Sequence, residues 1–295
     1  MPCLGVTQTM TGPRSVAAGI ALTCPALTAQ AQSADQMVRQ VVQNELRADA
    51  TQNTFWMYKD AKKTPERSTT KIVIETPHGN VSRMLDVDGH PLSPEQREQD
   101  EQKIRSMVTD PAVQQKQRRD SKEDGQKARN MMKMLPDAFI WTVAGGNNGE
   151  VSLSYKPNPK FQPPDRETQV MSLMAGTMTV DRAQMRLKVL KGALTQDVDF
   201  GWGILGRLRK GGTFSVARTE VAPKEWQIVE THVHISGRAL LFKSIDQNED
   251  ETNTYIKHVA PSLTLEQAAS LLHQNEANLN AQAQSASSLV QPSRP

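Results

Sequence analysis

The chain has 295 residues, with 35 Lys and Arg against 32 Asp and Glu, a formal net charge of +3, 37% apolar residues and few aromatics (4 Trp, 3 Tyr, 6 Phe). Acids and bases are interleaved, so there is no basic stripe to neutralise a row of phosphates, which argues against dedicated nucleic-acid binding. No stretch approaches the roughly 18–20 unbroken apolar residues that span a bilayer, and one globular domain or two small ones account for the length.

Arg14 is the only charge before residue 32; it precedes the apolar run Val16 to Leu22 and the small-residue triplet Ala29-Gln30-Ala31. This pattern is that of a secretory signal peptide over residues 1–31, cleaved after Ala31, and it implies an exported, periplasmic protein. Cys3 and Cys24 would leave with the leader, so the mature chain would hold no thiol, disulfide or thiolate metal site. Leu22-Thr23 before Cys24 puts the bulky and small residues in the wrong order for a lipid-modification signal.

Ser33-Ala34-Asp35-Gln36 is a capping box, and Met37, Val38, Val41, Val42 and Leu46 behind it form one apolar stripe, which predicts an amphipathic helix. Runs with strand character follow at Thr54–Lys59, Thr69–Thr76 and Val81–Val87, the last two joined through His78-Gly79-Asn80 as a hairpin. Ser93-Pro94 and Asp110-Pro111 each place a cap before a proline at the first helical position, so two consecutive helices are expected from Ser93 to Leu135. Glu101 and Arg105, and Glu123 and Lys127, stand at the i,i+4 spacing of an exposed helix. This charged insertion is expected to contribute little to a core, with Met131, Met134 and Leu135 as its anchor.

From Phe139 the period becomes two. Phe139, Trp141 and Val143, a turn at Gly145–Gly149, and then Val151, Leu153 and Tyr155 read as a second hairpin. Strands are expected near Ala175–Val180, Arg186–Ala193, Gly212–Val221, Glu225–Ile235 and Arg238–Asp246. Turns every ten residues or so indicate a meandering antiparallel sheet. Thr264-Leu265-Glu266-Gln267 caps a C-terminal helix within residues 261–279, and the Gln-, Ala- and Ser-rich tail over 280–295 is expected to be disordered.

Gly201, Gly203 and Gly206 match G-x-G-x-x-G literally, but Gly211-Gly212 would end any helix there within two turns, so a dinucleotide site is rejected. The same loop mounts Trp202, Ile204 and Leu205 on a glycine-loosened backbone, which either plugs the end of a sheet or gates a cavity. His232 and His234, two apart on a strand, share a face and are weak metal candidates without a third ligand. Asp197 with Asp199, and Asp86 with Asp88, are explained by turn and edge solvation. There is no nucleophile elbow and no zinc-protease helix. The sequence therefore offers no catalytic constellation and implies no cofactor.

The order of elements, with Gly176-Thr177-Met178-Thr179-Val180-Asp181, Leu187, Val189 and Leu190, Gly212-Thr213-Phe214 and Leu241-Phe242-Lys243, resembles the outer-membrane lipoprotein carrier and sorting superfamily. The resemblance implies an α+β fold. Its core is a curved, antiparallel, unclosed half-barrel over residues 33–260, with an N-terminal helix, the charged insertion at 93–135 and a C-terminal helix. It also implies a hydrophobic cavity for a lipid, acyl chain or apolar peptide. Trp202, Ile204, Leu205, Phe214 and Trp226 are the candidate lining, and each buried methylene would contribute about 0.8 kcal/mol. The competing expectation is an envelope interaction or sensor protein that docks a partner through the charged helical arm.

Overall fold

The computed structural model describes residues 33–147, 149–200, 206–239, 243–244 and 247–275. The expected leader with Cys3 and Cys24, the loop residues Trp202, Ile204 and Leu205, and the tail over 280–295 lie outside the described residues. Helix α1 (Ala34–Thr51) starts at the expected capping box: the Gln36 N–H donates to Ser33 Oγ (3.2 Å) and the Ser33 N–H to Gln36 Oε1 (3.1 Å). Then come β1 (Phe55–Lys63), β2 (Ser68–Thr76), β3 (Gly79–Val87) and the short β4 (His90–Pro91). Helices α2 (Pro94–Thr109) and α3 (Pro111–Ala138) begin at their predicted caps, Ser93 and Asp110. The hairpin β5 (Phe139–Gly146) and β6 (Glu150–Pro157) follows, and then a helix the sequence reading missed, α4 (Arg166–Ser172), capped by Asp165. The remaining strands are β7 (Met174–Asp181), β8 (Arg186–Leu194), β9 (Val198–Phe200), β10 (Gly206–Leu208), β11 (Thr213–Ala222), β12 (Glu225–Ile235), β13 (Gly237–Ala239), β14 (Lys243–Ser244) and β15 (Gln247–Val259). Helix α5, residues 265–275, starts at the Thr264–Gln267 box.

Eleven strands form one antiparallel, unclosed sheet in the order β4-β3-β2-β1-β15-β12-β11-β8-β7-β6-β5, and β14-β13-β10-β9 form a small second sheet. The fold is thus α+β, an open antiparallel sheet with helices at both ends of the chain. Two strand assignments need correction. The stretch expected as one strand over Arg238–Asp246 divides into β13 and β14 of the small sheet. The thirteen-residue β15, which the sequence reading missed, lies in the middle of the large sheet between β1 and β12. Its sequence, Gln-Asn-Glu-Asp-Glu-Thr-Asn-Thr-Tyr-Ile-Lys-His-Val, has no apolar alternation, so backbone pairing and not a buried stripe makes it a strand.

Directly paired residues in antiparallel strands point to the same face, so the register can be followed across the sheet. Leu190 pairs Val216, Val216 pairs Thr231, Thr231 pairs Glu251 and Glu251 pairs Lys62. These residues define the α1 face. On it, β5 to β8 pack Trp141, Leu153, Met178, Val180 and Leu190 against Val38, Val41 and Val42 of α1 and Met134 and Leu135 of α3. The Gly176–Gly192 cross-strand pair leaves room on this face for Tyr155, whose hydroxyl donates to the Lys191 carbonyl (3.1 Å); a Cβ on Gly192 would lie 2.2 Å from that hydroxyl.

The second cluster is on the other face. Ile72 pairs Lys59, three residues from Lys62 and therefore turned the opposite way. Ile72, Ile74 and Val81 pack there against Ile104 and Met107 of α2 and Leu265, Ala268 and Leu272 of α5. The insertion is consequently part of the core at both its ends, contrary to the expectation that it contributes little. Between those ends α3 is held on the β2–β3 turn. Gln117 accepts from the Asn80 N–H (2.7 Å) and donates to the Asn80 carbonyl (2.9 Å), and Arg118 donates to the His78 carbonyl (3.3 Å).

Candidate functional site

Across the middle of the sheet run β1, β15 and β12, with β2 beside β1. On the α1 face of β1 the alternating residues are Trp56, Tyr58, Asp60 and Lys62. Val73 and Lys71 of β2 pair Tyr58 and Asp60 on one side, and Asn253 and Glu251 of β15 pair Asp60 and Lys62 on the other. Trp56 and Val73 are 2% and 6% exposed, yet neither belongs to either cluster. Trp56 meets the His258 ring edge-on at 4.1 Å, and His258 is paired with Glu225. The result is an apolar row of Trp56, Tyr58 and Val73 that ends in a charged group.

At that charged end Lys71 binds Asp60 Oδ2 (2.9 Å) and Lys62 binds Glu249 (2.6 Å), while Glu75 accepts from the Trp56 N–H (3.2 Å). Burial raises the pKa of Glu75 above its ordinary value, against the opposing Trp56 hydrogen bond. Burial also raises Glu251, helped by the neighbouring Asp60 charge. The Tyr58 phenol is pushed far up by burial and by Glu75, Asp60 and Glu251 around it. Three buried polar atoms on this face, Trp56 Nε1, Asp60 Oδ1 and Asn253 Oδ1, have no hydrogen-bond partner among the described residues. Asp60 and Asn253 are cross-strand partners, and turning the Asn253 amide would present its N–H to Asp60 Oδ1.

A cleft of about 170 Å³ opens at the C-terminal end of α1, lined by Thr51, Asn53, Arg186, Lys224, Trp226 and Gln227. Beneath it lies an ion cluster with no counterpart in the sequence reading. Glu45 of α1 is 6% exposed; it takes Arg186 Nε at 2.8 Å and Nη2 at 2.9 Å, the Leu187 N–H at 2.8 Å, and Arg218 Nη1. Burial alone would raise the Glu45 carboxyl, but Arg186 and Arg218 outweigh it and hold the group below its ordinary range. The available signal was positional: Glu45 falls on the Val38, Val41, Val42 stripe of α1. Its partners, about 140 and 170 residues away in sequence, carried no such mark.

Of the predicted lining residues, Trp226 borders this cleft and donates from Nε1 to Gln184 (3.1 Å). Phe214 is half-buried against the first cluster. Phe214 pairs Val233 and Trp226 pairs Glu220, at opposite ends of the β11–β12 hairpin, so the structure does not bring these two together. Trp202, Ile204 and Leu205 cannot be placed, being outside the described residues. Gly206, the last glycine of the rejected motif, begins β10 and no helix.

His232 and His234 share a face, as expected, and it is the face opposite α1. Both rings bond the same Asp250 Oδ1, at 2.6 Å from Nδ1 of His232 and 2.9 Å from Nε2 of His234. Among the described residues no group of three or more His, Cys, Asp and Glu is arranged to hold a metal ion. Asp199 pairs with Arg207, Asp197 accepts from the Lys210 N–H (2.8 Å), and Asp88 from the Ser68 N–H (2.7 Å), which gives these acids turn and edge roles.

Comparison with known proteins leaves the chain on its own: no protein-family model, no curated protein and no solved structure matches it.

Proposed function

We propose that this is an exported, non-enzymatic binding protein that holds a lipid, an acyl chain or an apolar peptide on the α1 face of its open sheet. The supporting observation is the row of Trp56, Tyr58 and Val73, buried or half-buried side chains that belong to neither hydrophobic cluster. An open sheet with an apolar row set apart from its two main clusters is suited to an apolar chain if that row can be uncovered. Ten methylenes placed there would contribute about 8 kcal/mol before the costs of association. The resemblance to lipoprotein carriers agrees with this reading, and trafficking of lipids or lipoproteins is the process it suggests.

The test is retention of a fluorescent fatty acid by the purified protein, followed by energy transfer from tryptophan. Trp56→Ala and Val73→Asp should weaken retention at least tenfold, while Ile140→Ser, on the exposed margin strand β5, should leave it unchanged. Absence of any retention by the wild-type protein would refute the proposal. The docking alternative draws on the exposed middle of α3. It is tested by reversing Arg119 and Lys122 and assaying partner capture, because deleting residues 93–135 would also remove Ile104, Met107, Met134 and Leu135 from the core.

A further inference from the structure

We infer that an extended peptide adds as a strand to the free edge of β12 and sets its C-terminal carboxylate in the cleft beside Arg186 and Lys224. This goes beyond the reading of the Trp56 row and stands on different residues. β12 pairs β11 down to Glu225, and β15 pairs β1 on to Val259, but β12 and β15 pair each other only from Ile235–Gln247 to Glu230–Thr252. Below Glu230 the sheet therefore forks. Thr254, Tyr255, Lys257 and His258 of β15 are exposed there, although the strand has a neighbour on each side in the sheet. Side chains cross the gap in place of backbone: the Asn253 amide donates to the Ile228 carbonyl (3.3 Å), and His258 reaches Glu225. The Trp226 carbonyl is likewise met by a side chain, Arg218 Nη2 (3.0 Å).

An unladdered edge is complemented by another backbone. A residue in an antiparallel strand turns its N–H and C=O to the same side, so the Ile228 and Trp226 N–H groups face the fork with their carbonyls and have no strand beside them. Each carbonyl keeps a second lone pair for a peptide N–H. A peptide antiparallel to β12 would bring its C-terminus to the Glu225 end, where the cleft of about 170 Å³ gives room for a terminal residue. The charge there suits a carboxylate. Arg186 and Arg218 share the single carboxylate of Glu45, which leaves one largely buried positive charge in excess. Arg186 Nη1, on the cleft wall, makes only a 3.4 Å contact with the Lys224 carbonyl. The Lys224 ammonium has no ion-pair partner among the described residues, whereas Glu225 is held by His258 and Glu220 by the Lys224 N–H (2.6 Å). The nearby α1 carbonyls of Arg47 and Ala48 are taken by the Thr51 hydroxyl (2.9 and 3.3 Å). Tyr255 and Ile228, 70% and 44% exposed on the two sides of the fork, offer contacts to the peptide's side chains. Tyr255 holds φ at 54°, a conformation rare for a bulky residue and typical of functional positions.

The test uses the full chain and an N-acetylated hexapeptide of alternating Val and Thr ending in Phe. It is titrated as the free acid, as the C-terminal amide, and as the acid with alternate backbone nitrogens methylated. The free acid is expected to bind at least about tenfold more tightly than either other form, with amide chemical shifts moving at Trp226 and Ile228. Lys224→Glu should reduce the preference for acid over amide to about threefold or less while amide binding holds. Tyr255→Gly separates binding from folding: Gly accepts the left-handed backbone, so Tm should hold or rise while the free acid binds about fivefold more weakly. Equal binding of acid and amide, or of the methylated and unmethylated acids, would overturn the inference. Absence of binding by every form would overturn it too, leaving the reading of the Trp56 row to its own fatty-acid assay. Displacement of the acid from the Trp226 and Ile228 amides by dodecanoate would assign the fork to an acyl ligand and overturn the peptide.

Discussion

On the α1 face the buried charge is an acid, Glu45, gripped by Arg186 and Arg218; on the opposite face it is a base, Arg83, gripped by Asp100 (3.4 Å) and Glu101 (2.7 Å) with His273 against it (2.9 Å). In both places the ion group ties a helix to the sheet beside an apolar cluster, α1 to β8 and β11 in one, α2 and α5 to β3 in the other. The difference is in enclosure. Glu45, Arg186 and Arg218 are 6%, 9% and 16% exposed at the side chain; Arg83 and Asp100 are as enclosed, at 6% and 10%, but Glu101 is 32% exposed and so keeps part of its hydration. Losing the central charge should therefore be more damaging on the α1 face, because it strands two guanidinium groups with little access to water.

The sharpest test of this contrast is Glu45→Ala, expected to destabilise the fold by about 3–5 kcal/mol in denaturant titration. Arg83→Ala should cost less, about 1.5–3 kcal/mol, since Glu101 can turn to solvent. If the two variants proved equal, enclosure would not be what separates the sites. The pH dependence should divide them as well. The Glu45 carboxyl is held below its ordinary value of 4.5, so its contribution is complete above that pH and is lost as the pH falls through the lowered value. Asp100 is raised by burial, so protonation relieves it and acid should not weaken its site in the same way. The fall in thermal stability below about pH 4.5 should thus be shallower in Glu45→Gln than in the wild type, measured as the slope of Tm against pH. The smallest expected effect is at the α3 strap: Gln117→Ala removes two hydrogen bonds to Asn80 and should cost about 1–2 kcal/mol, with faster amide exchange confined to the β2–β3 turn.

Much of this frame was legible from sequence, through local signals. The caps at Ser33, Ser93, Asp110 and Thr264 set helix starts correctly because a capping side chain acts on the backbone within three residues. The hairpins carrying Trp141 with Tyr155 and Ile74 with Val81 declared themselves by alternation and turn residues. What stayed hidden depends on distant partners. β15 has polar residues on both faces, so nothing in its pattern distinguishes it from a loop until β1 and β12 flank it. Ile104 and Met107 were diluted by the charged residues around them, and only the proximity of Val81 and Leu272 gives them a core to join. Of the expected lining, Trp226 was found at a cleft, but the buried row of Trp56, Tyr58 and Asp60 was overlooked. An alternation of aromatic and acid has no meaning until Val73 and Glu251 are seen beside it.

The central place of β15 has a consequence for how the molecule comes into being. Its first partner, β1, leaves the ribosome nearly two hundred residues earlier, and a strand order that interleaves the last with the first cannot be completed progressively. Until residue 259 is made, β1 and β12 have no intervening strand to join them, so the two halves of the sheet are linked through α3 but not through the ladder, and the closing step carries a long-range loop penalty. Such a polypeptide should stay unlocked through most of its synthesis, with the large sheet completed only once its last strand is free to insert.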